Sequence, residues 1–144
     1  MTFFHCSFLD MGNAIVIKTI KHKYIFNGLN FQVIINTVHF LQSSFLPNHR
    51  GIEINLTKHT GLFIKADILL LKCVFVNHTA NSGAAIFMKS DSFSEHNAKR
   101  SALVIQNCSF INNFGNPVAG SIYLGQHVKG QILNSTFSID MDVS

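Results

Sequence analysis

A three-residue unit that ends in phenylalanine recurs along the whole chain, with spacings of 32, 35, 35 and 27 residues. Its phenylalanines are Phe8, Phe40, Phe75, Phe110 and Phe137. A second element, in which small residues lead into an isoleucine, follows each of the first four copies. Its isoleucines are Ile15, Ile52, Ile86 and Ile122, with spacings of 37, 34 and 36 residues. Because two separate elements keep the same rough period, we expect repeated structural units that stack on one another.

The segments inside each repeat have the composition of short β-strands. Positions 33–35, 68–76 and 103–105 are runs of β-branched or apolar residues bounded by Gly, Asn, Ser or His, which is typical of strands. Positions 24–28 and 61–64 predict a third strand in two repeats. Three short strands per repeat predict an all-β chain folded as a parallel β-helix of about four rungs. Stacked rungs pair their strand edges and bury one continuous apolar column.

Alternation along each strand assigns side chains to the inside or the outside of the predicted solenoid. The recurring phenylalanines then point inward as one aromatic ladder, with a cysteine two positions earlier in three repeats. The predicted ladder consists of Phe8, Phe40, Phe75, Phe110 and Phe137, with Cys6, Cys73 and Cys108. Val38 and Ser135 occupy the cysteine position in the other two repeats. That substitution favours a row of small buried residues over a disulfide or a metal site.

Composition excludes several other classes of protein. Charged residues make up 12% of the 144 residues and apolar residues 47%, unlike a disordered chain or a coiled coil. The net charge is +4, but the basic residues do not form a dense stripe among aromatics, so no nucleic-acid partner is predicted. No apolar stretch is long enough for a membrane-spanning helix, and the first residues lack a signal-peptide pattern. We expect one domain over residues 1–144, without a cofactor.

Two short units carry a resemblance to a known group of proteins. Gly83-Ala84-Ala85-Ile86 is similar to a Gly-Gly-Ala-Ile unit, and Phe110-Ile111-Asn112-Asn113 matches a Phe-x-x-Asn unit. The chain resembles the right-handed parallel β-helix (pectate-lyase-like) superfamily, and is most similar there to polymorphic outer-membrane adhesin-type repeats. The resemblance implies a right-handed coil and an extracellular or cell-surface location. It does not specify an activity, since this fold hosts lyases, hydrolases, epimerases and adhesins.

The carboxylates do not form a recognisable catalytic pattern. Glycoside hydrolysis needs two facing acids, and a lyase of this superfamily needs calcium-binding acids with a nearby base. The chain has seven acidic residues, and Glu53 and Asp67 fall at different positions of the repeat. We therefore predict no catalytic residues and no metal site.

Four N-glycosylation sequons are spread along the chain. Their acceptors are Asn55, Asn77, Asn107 and Asn134. Alternation places three of them on the outside and Asn77 at a corner, which is compatible with glycans on a secreted protein. The alternative is a structural role, because Asn tolerates the left-handed backbone of a solenoid corner.

A polar segment at positions 89–101 interrupts the repeat and is predicted to be a loop extruded from one corner. Loops on a rigid scaffold often carry binding residues. The candidate binding residues are Asp91, Glu95 and His96 of this loop, with Asn77, Asn112 and Asn113. The predicted binding surface is this loop together with the outer face of the strands that contain Ile52, Ile86 and Ile122.

These features favour a non-catalytic extracellular scaffold for adhesion or glycan binding, with a carbohydrate or a cell-surface protein as partner. One alternative is a fragment of a carbohydrate-active β-helix enzyme, a polysaccharide lyase or a glycoside hydrolase, whose acids lie on further rungs. Another is a structural spacer without a ligand. Neither end shows the cap that solenoids need. We therefore expect either a fragment of a longer solenoid or end-to-end self-association.

Overall fold

The computed structural model describes residues 1–9, 11, 14–18, 29–42, 50–56, 64–90 and 100–139. Within these ranges the secondary structure consists of sixteen β-strands. The strands pair side by side in parallel, each with the strand about one repeat away. Residues that are one repeat apart in the sequence therefore lie side by side in neighbouring strands.

Three sheets form the walls of the molecule. The first sheet contains, in spatial order, β1 (Thr2–Phe4), β4 (Leu29–Asn36), β7 (Ile64–Leu71), β11 (Ser101–Gln106) and β15 (Val128–Leu133). The second contains β2 (Ser7–Leu9), β5 (His39–Leu41), β8 (Val74–Val76), β12 (Ser109–Ile111) and β16 (Thr136–Ser138). The third contains β3 (Ile15–Lys18), β6 (Ile52–Leu56), β10 (Ile86–Ser90) and β14 (Ile122–Leu124). A smaller pair is formed by β9 (Thr79–Ser82) and β13 (Phe114–Ala119).

The chain visits the first, second and third sheets in turn, and each circuit is one coil. Among the described strands, four coils contribute to all three sheets, and β15 and β16 begin a fifth. This confirms the prediction of an all-β parallel solenoid of about four rungs. Its right-handed sense stays a prediction from the resemblance.

A left-handed residue makes the corner between the first and second sheets in every coil. These residues are His5, Thr37, Lys72, Asn107 and Asn134, with φ between 46° and 54°. The corner corrects the sequence interpretation of positions 68–76 as one strand, because Lys72 divides that run into β7 and β8. Of the predicted third strands, positions 24–28 and 61–63 lie outside the described residues, and Ile64 begins β7.

The recurring phenylalanines stack along the axis of the solenoid. Successive ring centroids from Phe8 to Phe137 are 5.3, 4.6, 4.9 and 4.7 Å apart, with nearly parallel planes. Phe40, Phe75 and Phe110 are fully buried, whereas Phe137, in the last described coil, is 51% exposed. Burial of each internal ring contributes about 1.5–3 kcal/mol, so the column is a main source of stability.

The cysteine position lies just inside the left-handed corner. Cys73 and Cys108 are buried free thiols on neighbouring coils, and Cys6 is partly buried. The sulfur of Cys73 lies 3.3 Å from the backbone oxygen of Leu71 and 3.5 Å from that of Ile35, so its one S–H is within donating distance of either. These thiols therefore act as small core side chains that also satisfy backbone groups.

Candidate functional site

The outer face of the third sheet carries the most distinctive cluster of side chains in the described chain. Strand register places Val16, Glu53, Phe87 and Tyr123 in one row across four coils. The isoleucines that precede them in the sequence, such as Ile52 and Ile86, are buried inside. Because neighbours along a strand point to opposite faces, this row lies on the outside of the solenoid.

Two aromatic rings in this row stack on each other, and an arginine covers one of them. The centroids of Phe87 and Tyr123 are 5.0 Å apart, with an angle of 8° between the ring planes. The guanidinium carbon of Arg50 lies 4.7 Å from the centroid of Phe87, within range of a cation–π interaction. Arg50 belongs to the coil before Phe87 and Tyr123 to the coil after it, so they cover opposite faces of its ring.

The arginine is also held by polar contacts. Its Nη1 lies 3.4 Å from Oε2 of Glu53, and its Nε donates to the backbone oxygen of Ser82 at 3.2 Å. Glu53 is only 9% exposed, and a carboxylate at that depth needs a paired cation. We call Arg50, Glu53, Phe87 and Tyr123 the outer aromatic surface.

The geometry of this surface limits what it can bind. Both faces of the Phe87 ring are covered, so a ligand meets its edge. Tyr123 lies in β14, which ends the third sheet, and the ring face turned away from Phe87 points along the axis beyond that strand. A half-buried tyrosine offers both an apolar ring face and a hydroxyl. Lys89, two residues after Phe87 on the same outer face, adds an exposed cation.

The tight corner before β10 explains the small-residue unit at positions 83–86. Gly83 has a φ of +56°, and a Cβ there would collide with the backbone oxygen of Ile86 and with Tyr123. Ala84 and Ala85 are fully buried. This unit therefore has a structural role that positions Phe87 and Tyr123.

Asn113, predicted to bind a ligand, lies inside the solenoid. It is 4% exposed, its Nδ2 donates to the backbone oxygen of Phe75 at 2.9 Å, and its Oδ1 accepts from the backbone N–H of His78 at 3.0 Å. Both ends of the amide bind backbone groups of the preceding coil, so the structure corrects the prediction for this residue and assigns it to the core.

The two other predicted asparagines form the next corner of the coil. Asn77 and Asn112 have φ of 60° and 51°, and Nδ2 of Asn77 donates to the backbone oxygen of Gln42 at 2.9 Å. Asn is the non-glycine residue that most readily adopts this conformation. Their geometry accords with a role in the backbone corner. The predicted binding residues Asp91, Glu95 and His96 lie outside the described residues, while β10 reaches Ser90 and β11 begins at Ser101.

The sequon asparagines occupy different environments. Asn107 and Asn134 are exposed and sit at left-handed corners on successive coils. Asn55 is half-buried on β6, in register with Lys89, and the side chain of Asn77 is hydrogen-bonded as described above. Asn107 and Asn134 therefore present the most accessible side chains of the four, although their backbone conformation gives each a structural role as well.

The two acids within the described strands are separate and each has its own cation. Glu53 pairs with Arg50 on the third sheet, whereas Oδ2 of Asp67 lies 2.7 Å from Nζ of Lys65 on the first sheet. Within the described ranges no three His, Cys, Asp or Glu side chains come together as a group that could hold a metal ion. The same part of the chain contains no helix with the length and apolarity to cross a membrane.

The sequence predicts the outer face of the strands with Ile52, Ile86 and Ile122 as a candidate surface but does not single out the aromatic pair within it. The available signal was that an aromatic residue follows the recurring isoleucine in two successive repeats, as Phe87 after Ile86 and Tyr123 after Ile122. The sequence gives no such signal for Arg50, because its contact with Phe87 depends on the packing of two coils. Comparisons with known protein families, with curated proteins and with solved structures found no match to the chain.

Proposed function

We propose that the chain is a non-catalytic β-solenoid scaffold that acts outside the cell or at the cell surface, in adhesion or glycan binding. We further propose that it belongs with the right-handed, pectate-lyase-like β-helices and is similar to the polymorphic outer-membrane adhesin-type repeats. The observation that carries the proposal is the outer aromatic surface. Side chains from three stacked coils hold it in one arrangement, and such preorganisation is what a binding site requires.

A carbohydrate is the ligand class that suits the chemistry of this surface. The half-exposed ring of Tyr123 can pack against the C–H face of a sugar, while its hydroxyl can hydrogen-bond with sugar hydroxyls. Lys89 gives a cation at the edge of the surface, which favours sugars that carry carboxylate or sulfate groups. The partner is then a glycan or a glycosylated cell-surface protein.

The placement of Glu53 and Asp67, the two acids that the structure describes, supports a binding role over a catalytic one. Glu53 and Asp67 lie on different sheets, and each makes an ion pair with a cation of the scaffold. A glycoside hydrolase needs two carboxyl groups about 5–10 Å apart that face the same bond. Neither residue offers such a pair with the other.

Glycan binding is tested with a sugar array, followed by titration of the best ligand. We expect Tyr123→Ala to weaken binding about tenfold, which corresponds to about 1.4 kcal/mol. Ile111→Ala, an outward-facing change on the second sheet, is the matched control and should bind as wild type. The proposed site is wrong if Tyr123→Ala binds unchanged. Product release from a panel of polygalacturonate, alginate and related polysaccharides would overturn the non-catalytic assignment and favour the enzyme alternative.

The extracellular proposal implies that the exposed sequons can accept glycans, and this is tested by secretory expression. Expression through a eukaryotic secretory pathway should add glycan mass that Asn107→Gln and Asn134→Gln remove, since these two acceptors are exposed. The matched control is Asn36→Gln, an asparagine of β4 outside any sequon. An unmodified secreted chain would argue that the exposed asparagines have only their structural role.

A further inference from the structure

The two ends of the described solenoid present strands with one unpaired edge. In the first sheet β1 and β15 are the outermost strands, and in the second sheet β2 and β16 are. Side chains that point into the solenoid are partly uncovered at these ends. Ile132 and Phe137 of the last coil are 47% and 51% exposed, and Phe3 and Phe8 of the first coil are only partly buried. Sheet edges of this kind are templates for pairing with another chain.

The corner between the first and second sheets is the same at both ends. Phe3 and Phe8 are five residues apart in the first coil, and Ile132 and Phe137 are five residues apart in the last. The strand register links them through the intervening coils. His5 and Asn134 give the two corners the same left-handed turn, with φ of 47° and 46°. The first coil thus has the same corner geometry as the last one, and the first coil of a second copy can stack on the last coil of the first copy.

The backbone hydrogen bonds at this corner have a fixed direction along the solenoid. The N–H of His5 donates to Asn36 O in the next coil, and the N–H of Asn107 donates to Leu133 O in the same way. In the opposite direction, the N–H of Thr136 donates to Cys108 O in the preceding coil. If the first series continued, the N–H of Asn134 would donate to a coil beyond the last one. If the second continued, the N–H of Ser7 would donate to a coil before the first.

We propose that a second copy of the chain binds head to tail, with its β1 and β2 paired in parallel with β15 and β16 of the first. The interface continues the coil-to-coil packing already present within the chain. Phe8 of one copy stacks on Phe137 of the other, Asn134 N–H donates to Phe4 O, and Ser7 N–H donates to Ser135 O. Because the two surfaces differ and the rotation need not close, the assembly can grow by further copies.

The edge sequences allow this contact. Strand β2 reads Ser-Phe-Leu and β16 reads Thr-Phe-Ser, and neither contains the Lys or Pro that edge strands commonly use to prevent pairing. In the first sheet β1 has neither residue, and β15 has Lys129, which is in register with the outward-facing Ala102. The added rings would extend an aromatic column whose neighbours are 4.6–5.3 Å apart. The proposal concerns a different surface from the outer aromatic surface and does not depend on the proposed function.

Two variants test the proposal by blocking one end each. Ser7→Pro removes the N–H that would reach the second copy and leaves the pairing of β2 with β5 in place, because the N–H groups in this position point toward the preceding coil. Phe137→Lys puts a charge on the ring column at the other end. We expect the wild-type mass in light scattering to rise with concentration, and each variant to be monomeric.

Mixing the variants decides the geometry of the contact. Ser7→Pro keeps an intact last coil and Phe137→Lys keeps an intact first coil, so an equimolar mixture should form a dimer of one copy of each and grow no further. Circular dichroism confirms that both variants are folded. Self-association of Ser7→Pro alone would mean contact between two last coils and would overturn the head-to-tail arrangement. A wild-type chain that is monomeric at all concentrations would also overturn it, leaving further coils or another protein as the occupant of these edges.

Discussion

The side-chain amide of Asn113 donates to the backbone oxygen of Phe75, one coil earlier, at 2.9 Å. The same contact recurs one coil before, where Nε2 of His78 lies 3.1 Å from the backbone oxygen of Phe40. Gln42, one position earlier in its repeat, donates to a different acceptor, the backbone oxygen of Met11. Asn113 and His78, each three residues after a ladder phenylalanine, thus tie successive coils together in the same way. The repeat therefore conserves a contact while the residue that makes it changes.

Removal of this contact should destabilise the solenoid. Asn113→Ala leaves Phe75 O and the N–H of His78 without their buried partner, and we expect a loss of about 1–3 kcal/mol in the free energy of unfolding. Asn113→His should recover part of the loss, because His78 makes the equivalent contact one coil earlier. Urea titration measures both, with Ile111→Ala as the control for a change on the outer face. Equal stability of Asn113→Ala and wild type would contradict the assignment.

Truncation of the aromatic ladder should cost more at its centre than at its end. Phe75 is fully buried between two stacked rings, so Phe75→Ala is expected to cost about 3–5 kcal/mol through lost burial and a residual cavity. Phe137→Ala should cost much less, because that ring is half exposed. Thermal melts at low protein concentration compare the two. If the buried rings did not contribute to stability, both variants would have the same melting temperature.

Relief of backbone strain at the left-handed corner should stabilise the protein. Lys72 is exposed with a φ of 51°, and a non-glycine side chain pays about 1–2 kcal/mol in that conformation. Asn occupies the equivalent position in the next two coils, and it tolerates the conformation better. Lys72→Asn is therefore expected to raise the free energy of unfolding by about 0.5–1 kcal/mol. Lys129→Asn, within strand β15, should bring no gain and serves as the control in the same denaturant titration.

The reactivity of the three thiols should depend on whether a reagent can reach them rather than on their pKa. The hydrogen bond with Cys108, together with burial, raises the pKa of the Cys73 thiol, and the same hydrogen bond lowers the pKa of Cys108 to about 7. Both side chains are nevertheless buried, while Cys6 is partly exposed. We expect an aromatic disulfide reagent to label Cys6 quickly at neutral pH and the other two only on unfolding, since a thiolate reacts only where the reagent can reach it. Cys6→Ser is the control, and fast labelling of that variant would show that the core opens.

The period of the repeat, the inward phenylalanines and the position of the cysteines could be predicted from the sequence alone. They depend on the alternation of side chains within one strand and on the repetition of a short unit, and both are local properties. The same reasoning joined positions 68–76 into one strand and could not assign Asn113 to the interior. A left-handed residue shifts the alternation, so that Asn113, after Asn112 at φ of 51°, turns inward.

Only the tertiary structure decided which side chains meet across coils. Arg50 lies over Phe87, and Phe87 stacks on Tyr123, although 36 or 37 residues separate each pair in the sequence. Such contacts depend on how one coil is seated on the next, and the strand register sets that seating. The sequence by itself therefore determined that the chain repeats and what it buries. The stacking of coils determined the outer aromatic surface, because packing between coils is not a property of any single repeat.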